Sequence, residues 1–131
     1  MLRHIRSEGG DKMFVNVSNH PSELWLDKQK ECASFYGSIV DVAFPAIHKD
    51  YDSSKYDELV ELYYERIMCL YPDVVMVQGE SVFTYRLVGK LKASGIRVVS
   101  ARSERVCQEF KDENNVIHKH SIFEFIDFVD Y

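Results

Sequence analysis

Hydrophobic and polar positions alternate along this chain in two rhythms, and the rhythm changes at each turn signal. Residues 13–17 (MFVNV) read as a first strand, followed by the polar turn Ser18-Asn19-His20-Pro21. Residues 22–36 then repeat Trp25, Cys32, Ala33 and Tyr36 at helical spacing. Pro21 suits a first helical turn, and Gly37 suits its end. Residues 38–44 are strand-like and close at Pro45, which cannot continue a ladder. In residues 56–71, Tyr56, Leu59, Val60, Tyr63, Ile67 and Leu70 share one helical face, glutamates take the other, and Pro72 follows.

Residues 74–77 (VVMV) are uniformly apolar, the signature of a strand buried on both faces of a parallel sheet. Gln78-Gly79-Glu80-Ser81 leads into a third helix carrying Val82, Phe83, Leu87, Val88 and Leu91 and stopping at Gly95. Residues 96–100 read as a fourth strand and residues 101–105 as another polar turn. Residues 106–110 and 116–129 are strand-rich and joined by a turn-like KDENN, which predicts a C-terminal β-hairpin. Strands alternating with helices over short links imply right-handed crossovers and helices on both faces of a mostly parallel sheet. The predicted fold is therefore α/β and Rossmann-like. Residues 1–12 show no periodicity and read as a leader, leaving residues 13–131 as a single domain.

A length of 131 residues, with 46% hydrophobic and 28% charged side chains, suits one domain with its own core. No apolar run reaches the roughly 20 residues of a membrane-spanning helix, and no secretory leader is visible. We therefore expect a cytoplasmic protein without membrane partners. A net charge of -5 argues against coating duplex nucleic acid. Charge is nevertheless uneven: residues 81–105 hold Arg86, Lys90, Lys92, Arg97, Arg102 and Arg105 against Glu104 alone. Cys32, Cys69 and Cys107 are isolated and odd in number, which excludes a disulfide framework and predicts buried thiols. His118 and His120 fall on one face of a predicted strand with no evident third ligand, so no metal site is expected.

The candidate chemistry gathers in three turns, each just past the C-terminal end of a predicted parallel strand, where open α/β sheets bind ligands. In the first, His20 can exchange a proton near neutral pH. In the second, Gly79 permits a close approach by a ligand or another backbone, and the amides opening the following helix favour anions. Glu80 there either takes ribose hydroxyls or complements the helix dipole. In the third, Arg102 and Arg105 flank Ser103 with phosphate-matching guanidinium forks, or pair with Glu104. Neither GxGxxG nor GxxxxGK[ST] occurs, which weakens dinucleotide and ATP readings.

The stretches MFVNVSNHPSELW, VVMVQGESVFTYRLVGKLKASGIRVVSARSER and IFEFIDFVDY resemble the small Rossmann-like accessory proteins encoded beside type III CRISPR systems, a group that includes ring nucleases. The chain departs from them at Arg102, where relatives commonly carry a small residue. The resemblance implies recognition of a cyclic oligoadenylate across a homodimer. In catalytic members it implies metal-independent cleavage, without a cofactor, by attack of a ribose 2'-hydroxyl on the adjacent phosphate. On that reading His20 is the acid or base and Arg105 the phosphate clamp. Ser18, Asn19, Ser81 and Thr84 bond ribose and phosphate, Gly79 is the close-approach position, and Gln78, Glu80, Arg102 and Ser103 complete the ligand shell. A sensor or sponge without turnover, or an enzyme acting on monomeric nucleotides, would use the same turns.

Overall fold

Strand Val74–Val77 (β3) is buried at every position because both of its faces meet core. Val75 and Val77 point into one cluster with Val15, Val17, Ile67 and Leu87. Val74 and Met76 point into a second with Phe14, Trp25, Ala33 and Val99. A computed structural model describes residues 11–131 and shows how the rest is arranged about this strand. The other elements are β1 (Met13–Ser18), a single 3-10 turn (Ser22–Leu24), α1 (Asp27–Tyr36), β2 (Ser38–Ala43), α2 (Ser53–Met68), α3 (Ser81–Ala93), β4 (Arg97–Lys111) and β5 (Ile117–Asp130). The sheet order is β2-β1-β3-β4-β5, with parallel pairing except between β4 and β5. Ala33 of α1 packs on one face, and α2 and α3 cover the other. The expected α/β architecture, mostly parallel with helices on both faces and a C-terminal hairpin, is the one observed.

Gly37 ends α1 at φ 153, and a Cβ there would sit 2.5 Å from the Lys12 carbonyl carbon, so only glycine lets the chain turn this tightly into β2. Lys12 also accepts the Ser38 amide at 2.9 Å. Order therefore begins before Met13, and the rest of the predicted leader lies outside the described residues.

Three expectations need correction. Residues 22–36 are not one helix: the chain is extended at Trp25 (ψ 149) and Leu26 (ψ 151) before α1 starts. The break lets the Trp25 ring lie edge-on to Phe14, centroids 6.2 Å apart, in the core. Residues 101–105 are not a turn either. They lie inside β4, which pairs with β5 from Val99–Asp130 out to Lys111–Ile117, with a register shift at Arg102/Ser103. Beyond the parallel sheet this two-stranded ribbon meets water on both faces, so its polar residues carry no turn information. Finally, the thiols are not buried: Cys69 and Cys107 are exposed and Cys32 is half-buried.

Candidate functional site

The turn after β1 is held by a residue that the strand pattern conceals. Asn16 is buried, and its Nδ2 donates to the His20 carbonyl at 3.0 Å and to Asp41 Oδ1 at 2.9 Å. Ser18 Oγ donates to Asn16 Oδ1 at 2.7 Å and accepts from the His20 amide at 3.2 Å. Trp25 Nε1 donates to the same His20 carbonyl at 3.0 Å, while Asp41 accepts from the Ser22 amide and hydroxyl. The backbone around His20 is thus fixed from β1, β2 and the Trp25 segment, while His20 and Asn19 themselves are exposed. A single polar residue inside an otherwise apolar strand was the only sequence trace of Asn16, and its place opposite Asp41 comes from the fold.

The turn after β3 is largely consumed by structure. Gln78 extends the β3–β4 ladder with its side chain, Nε2 donating to the Ala101 carbonyl and Oε1 accepting the Ala101 amide, both at 3.1 Å. At Gly79 the close neighbour is neither a ligand nor a backbone but the side chain of Phe44, whose ring would lie 2.3 Å from a Cβ there. The helix-opening amides are not free for an anion: Glu80 accepts from the amides of Val82 at 2.6 Å and Phe83 at 3.3 Å. Glu80 also faces α2, where loss of solvent first, and then a hydrogen bond to Glu80, raise the Tyr56 hydroxyl above its ordinary value.

β1 and β3 are neighbours whose onward crossovers leave to opposite faces of the sheet, so their C-terminal ends form a topological switch point. A cleft of about 830 Å³ opens there and brings together Ser18, Asn19, His20, Gln78, Gly79 and Ser103. Its apolar lining includes Leu24, Trp25, Met76, Phe123 and Phe125, and among the described residues Glu124 is the one carboxylate, Lys or Arg that lines it. Ser81 and Thr84 are not in this cleft. They line a second cavity of about 880 Å³ beside α2, α3 and Tyr131, to which Gly79 also contributes. Thr84 Oγ1 is buried there without a hydrogen-bond partner among the described residues.

Neither arginine of the third segment lines the cleft. Arg102 grips Asp127 with Nε at 3.0 Å and Nη2 at 2.8 Å. Arg105 donates from Nη2 to Ser121 Oγ at 3.2 Å and stands opposite Phe123, two residues out along β4 from Ser103. Since β-strand periodicity puts Ser103 and Arg105 on one face, Arg105 is the cation placed at the outer rim. His118 bonds Asp112 at 2.8 Å and stacks on Phe110. Among the described residues no group of three or more His, Cys, Asp or Glu could hold a metal ion, and no helix is long and apolar enough to cross a membrane.

Residues 12–129 match the family described as "Uncharacterized protein MJ1673 family". The chain belongs to that family. The match spans every strand and helix and therefore both turns that open on the cleft, together with the ribbon that walls it. Among curated proteins no match was found.

Proposed function

We propose that the chain recognises a cyclic oligoadenylate in the switch-point cleft and opens its ring without a metal. One observation carries the reading: Ser18-Asn19-His20, Gln78-Gly79 and Ser103, distant in sequence, line one cleft whose mostly apolar remaining wall includes Trp25, Phe123 and Phe125. Phe123, exposed at 68%, offers a face on which an adenine can stack. Asn19 and the Ser103 hydroxyl supply donors and acceptors for ribose and phosphate, while the Ser18 hydroxyl, its proton held by Asn16, can only accept.

In the cleavage step the ribose 2'-oxygen bonds to the neighbouring phosphorus and the bond to the 5'-oxygen breaks. The 2'-hydroxyl proton goes to the His20 imidazole, and the leaving 5'-oxygen takes a proton in turn. The linear product ends in a 2',3'-cyclic phosphate. Holding the attacking and leaving oxygens in line supplies most of the acceleration, and Arg105, swung from Ser121, meets the charge on phosphorus.

The cations favour a second reading, binding without turnover. Among the described residues no Lys or Arg lines the cleft, and Glu80 occupies the amides that open α3. Incubation with cyclic tri-, tetra- and hexaadenylate in the presence of a chelator separates the two. Linear products that fall at least 100-fold with His20→Ala support cleavage. Binding with no product supports the second reading, and the absence of binding contradicts both.

A further inference from the structure

β5 is the outer strand of the sheet, and beyond Ser103 the ribbon pairs with no other strand among the described residues. A two-stranded ribbon alone is marginal in water, and a long edge is a template for another strand. This edge runs 14 residues without a proline. Apolar side chains also remain exposed along the ribbon, among them Phe110 at 57%, Ile117 at 56% and Phe123 at 68%.

The charges of β5 state what fits that edge. Its first half offers Lys119 and His120 and its second half Glu124, while His118, Asp127 and Asp130 already bond Asp112, Arg102 and Arg97 within the chain. A strand sorted in this way repels a parallel copy and complements an antiparallel one, which is the arrangement a two-fold axis generates. Cross-strand partners must point to the same face, which restricts the register to even steps.

We infer that two copies of this chain associate through antiparallel pairing of their β5 edges, with Ile122 at the two-fold axis. His120 then faces the partner's Glu124, and Lys119 faces the partner's Phe125. The exposed tip at Val116 and Ile117 reaches the partner's Asp127, beside a shallow 380 Å³ cavity lined by Phe35 and Phe128. Phe35 is exposed at 84%, so an apolar tip meets an apolar patch. Beside the chain's own Arg105, a second cation then reaches the cleft rim, because Phe125 lines the cleft and faces the partner's Lys119. Its contact within one chain, Glu109 at 3.7 Å, is an exposed pair that holds it weakly. The association stands on β5 alone, and only the use of Lys119 rests on the ligand reading.

Sedimentation velocity on the full chain tests the interface without any nucleotide. The unaltered chain sediments as a dimer. Glu124→Lys and His120→Glu each weaken it roughly tenfold or more, because every substitution acts twice across the axis. An equimolar mixture of the two variants restores the dimer, since the lysine introduced in one then meets the glutamate introduced in the other, and restoration also shows that both variants are folded. A monomeric unaltered chain, a dimer indifferent to both substitutions, or a mixture that stays monomeric overturns the inference.

Discussion

At the residue scale, the side chains that make the candidate site are mostly also those that build it. Gly79 shows this most sharply, for the space a side chain would take is filled by Phe44, which packs edge-on against Phe83 at 5.1 Å. We expect Gly79→Ala to cost about 1–3 kcal/mol in chemical denaturation, the usual range for overpacking. Adding Phe44→Ala should then cost less than it does in the unaltered chain, because the clash is relieved. Additive effects would show that the ring does not occupy that space. The glycine was legible as a position of close approach, but its occupant was not, since Phe44 lies 35 residues away and meets it only through the packing of β2 and α3. Asn16 was hidden for the opposite reason: one polar residue in an apolar strand leaves the alternation intact. Only the fold reveals that Asp41 and the His20 carbonyl come to meet it.

At the element scale, strands buried on both faces were the most legible, because their continuous apolar runs have one explanation in a parallel sheet. The central position of β3 followed from VVMV alone. The ribbon was the least legible. Its pairing is local and both its faces meet solvent, so neither burial nor alternation distinguishes Arg102-Ser103-Glu104 from a turn. Two carboxylates fasten it at opposite ends. Asp112 is held below the ordinary carboxylate range, first by His118 and then by the amides of Val116 and Asn114. Asp130 is held low first by its hydrogen bond to Arg97, at 2.7 Å. A depressed carboxyl stabilises the fold fully above its unfolded value, near pH 4, and that contribution is lost as pH falls through the lower folded value. We therefore expect the protection of amides in residues 112–118 and 128–130, taken relative to their intrinsic exchange rates, to fall on acidification from about pH 4 downward, ahead of β1 and β3. Equal responses in ribbon and core would show that these contacts do not fasten it.

At the scale of the whole molecule, the fold performs one operation that no single segment performs. By setting β1 beside β3 and sending their helices to opposite faces, it opens a cleft between two loops roughly 60 residues apart in sequence, and the ribbon closes the third side. That convergence follows from topology, and topology followed from the strand–helix alternation. The placing of Ser81, Thr84 and Arg102 did not, because a helix start faces two sides of the sheet and a ribbon residue faces either of two surfaces. The central claim is that this cleft takes a cyclic oligoadenylate, and titration of isotope-labelled protein followed by amide chemical shifts tests it most directly. Saturable shifts are expected with at least one of the cyclic tri-, tetra- and hexaadenylates, gathered at Ser18, Asn19, His20, Gly79, Ser103 and Phe123. No shifts with any ring, or shifts confined to the cavity beside α3 and Tyr131, would contradict it.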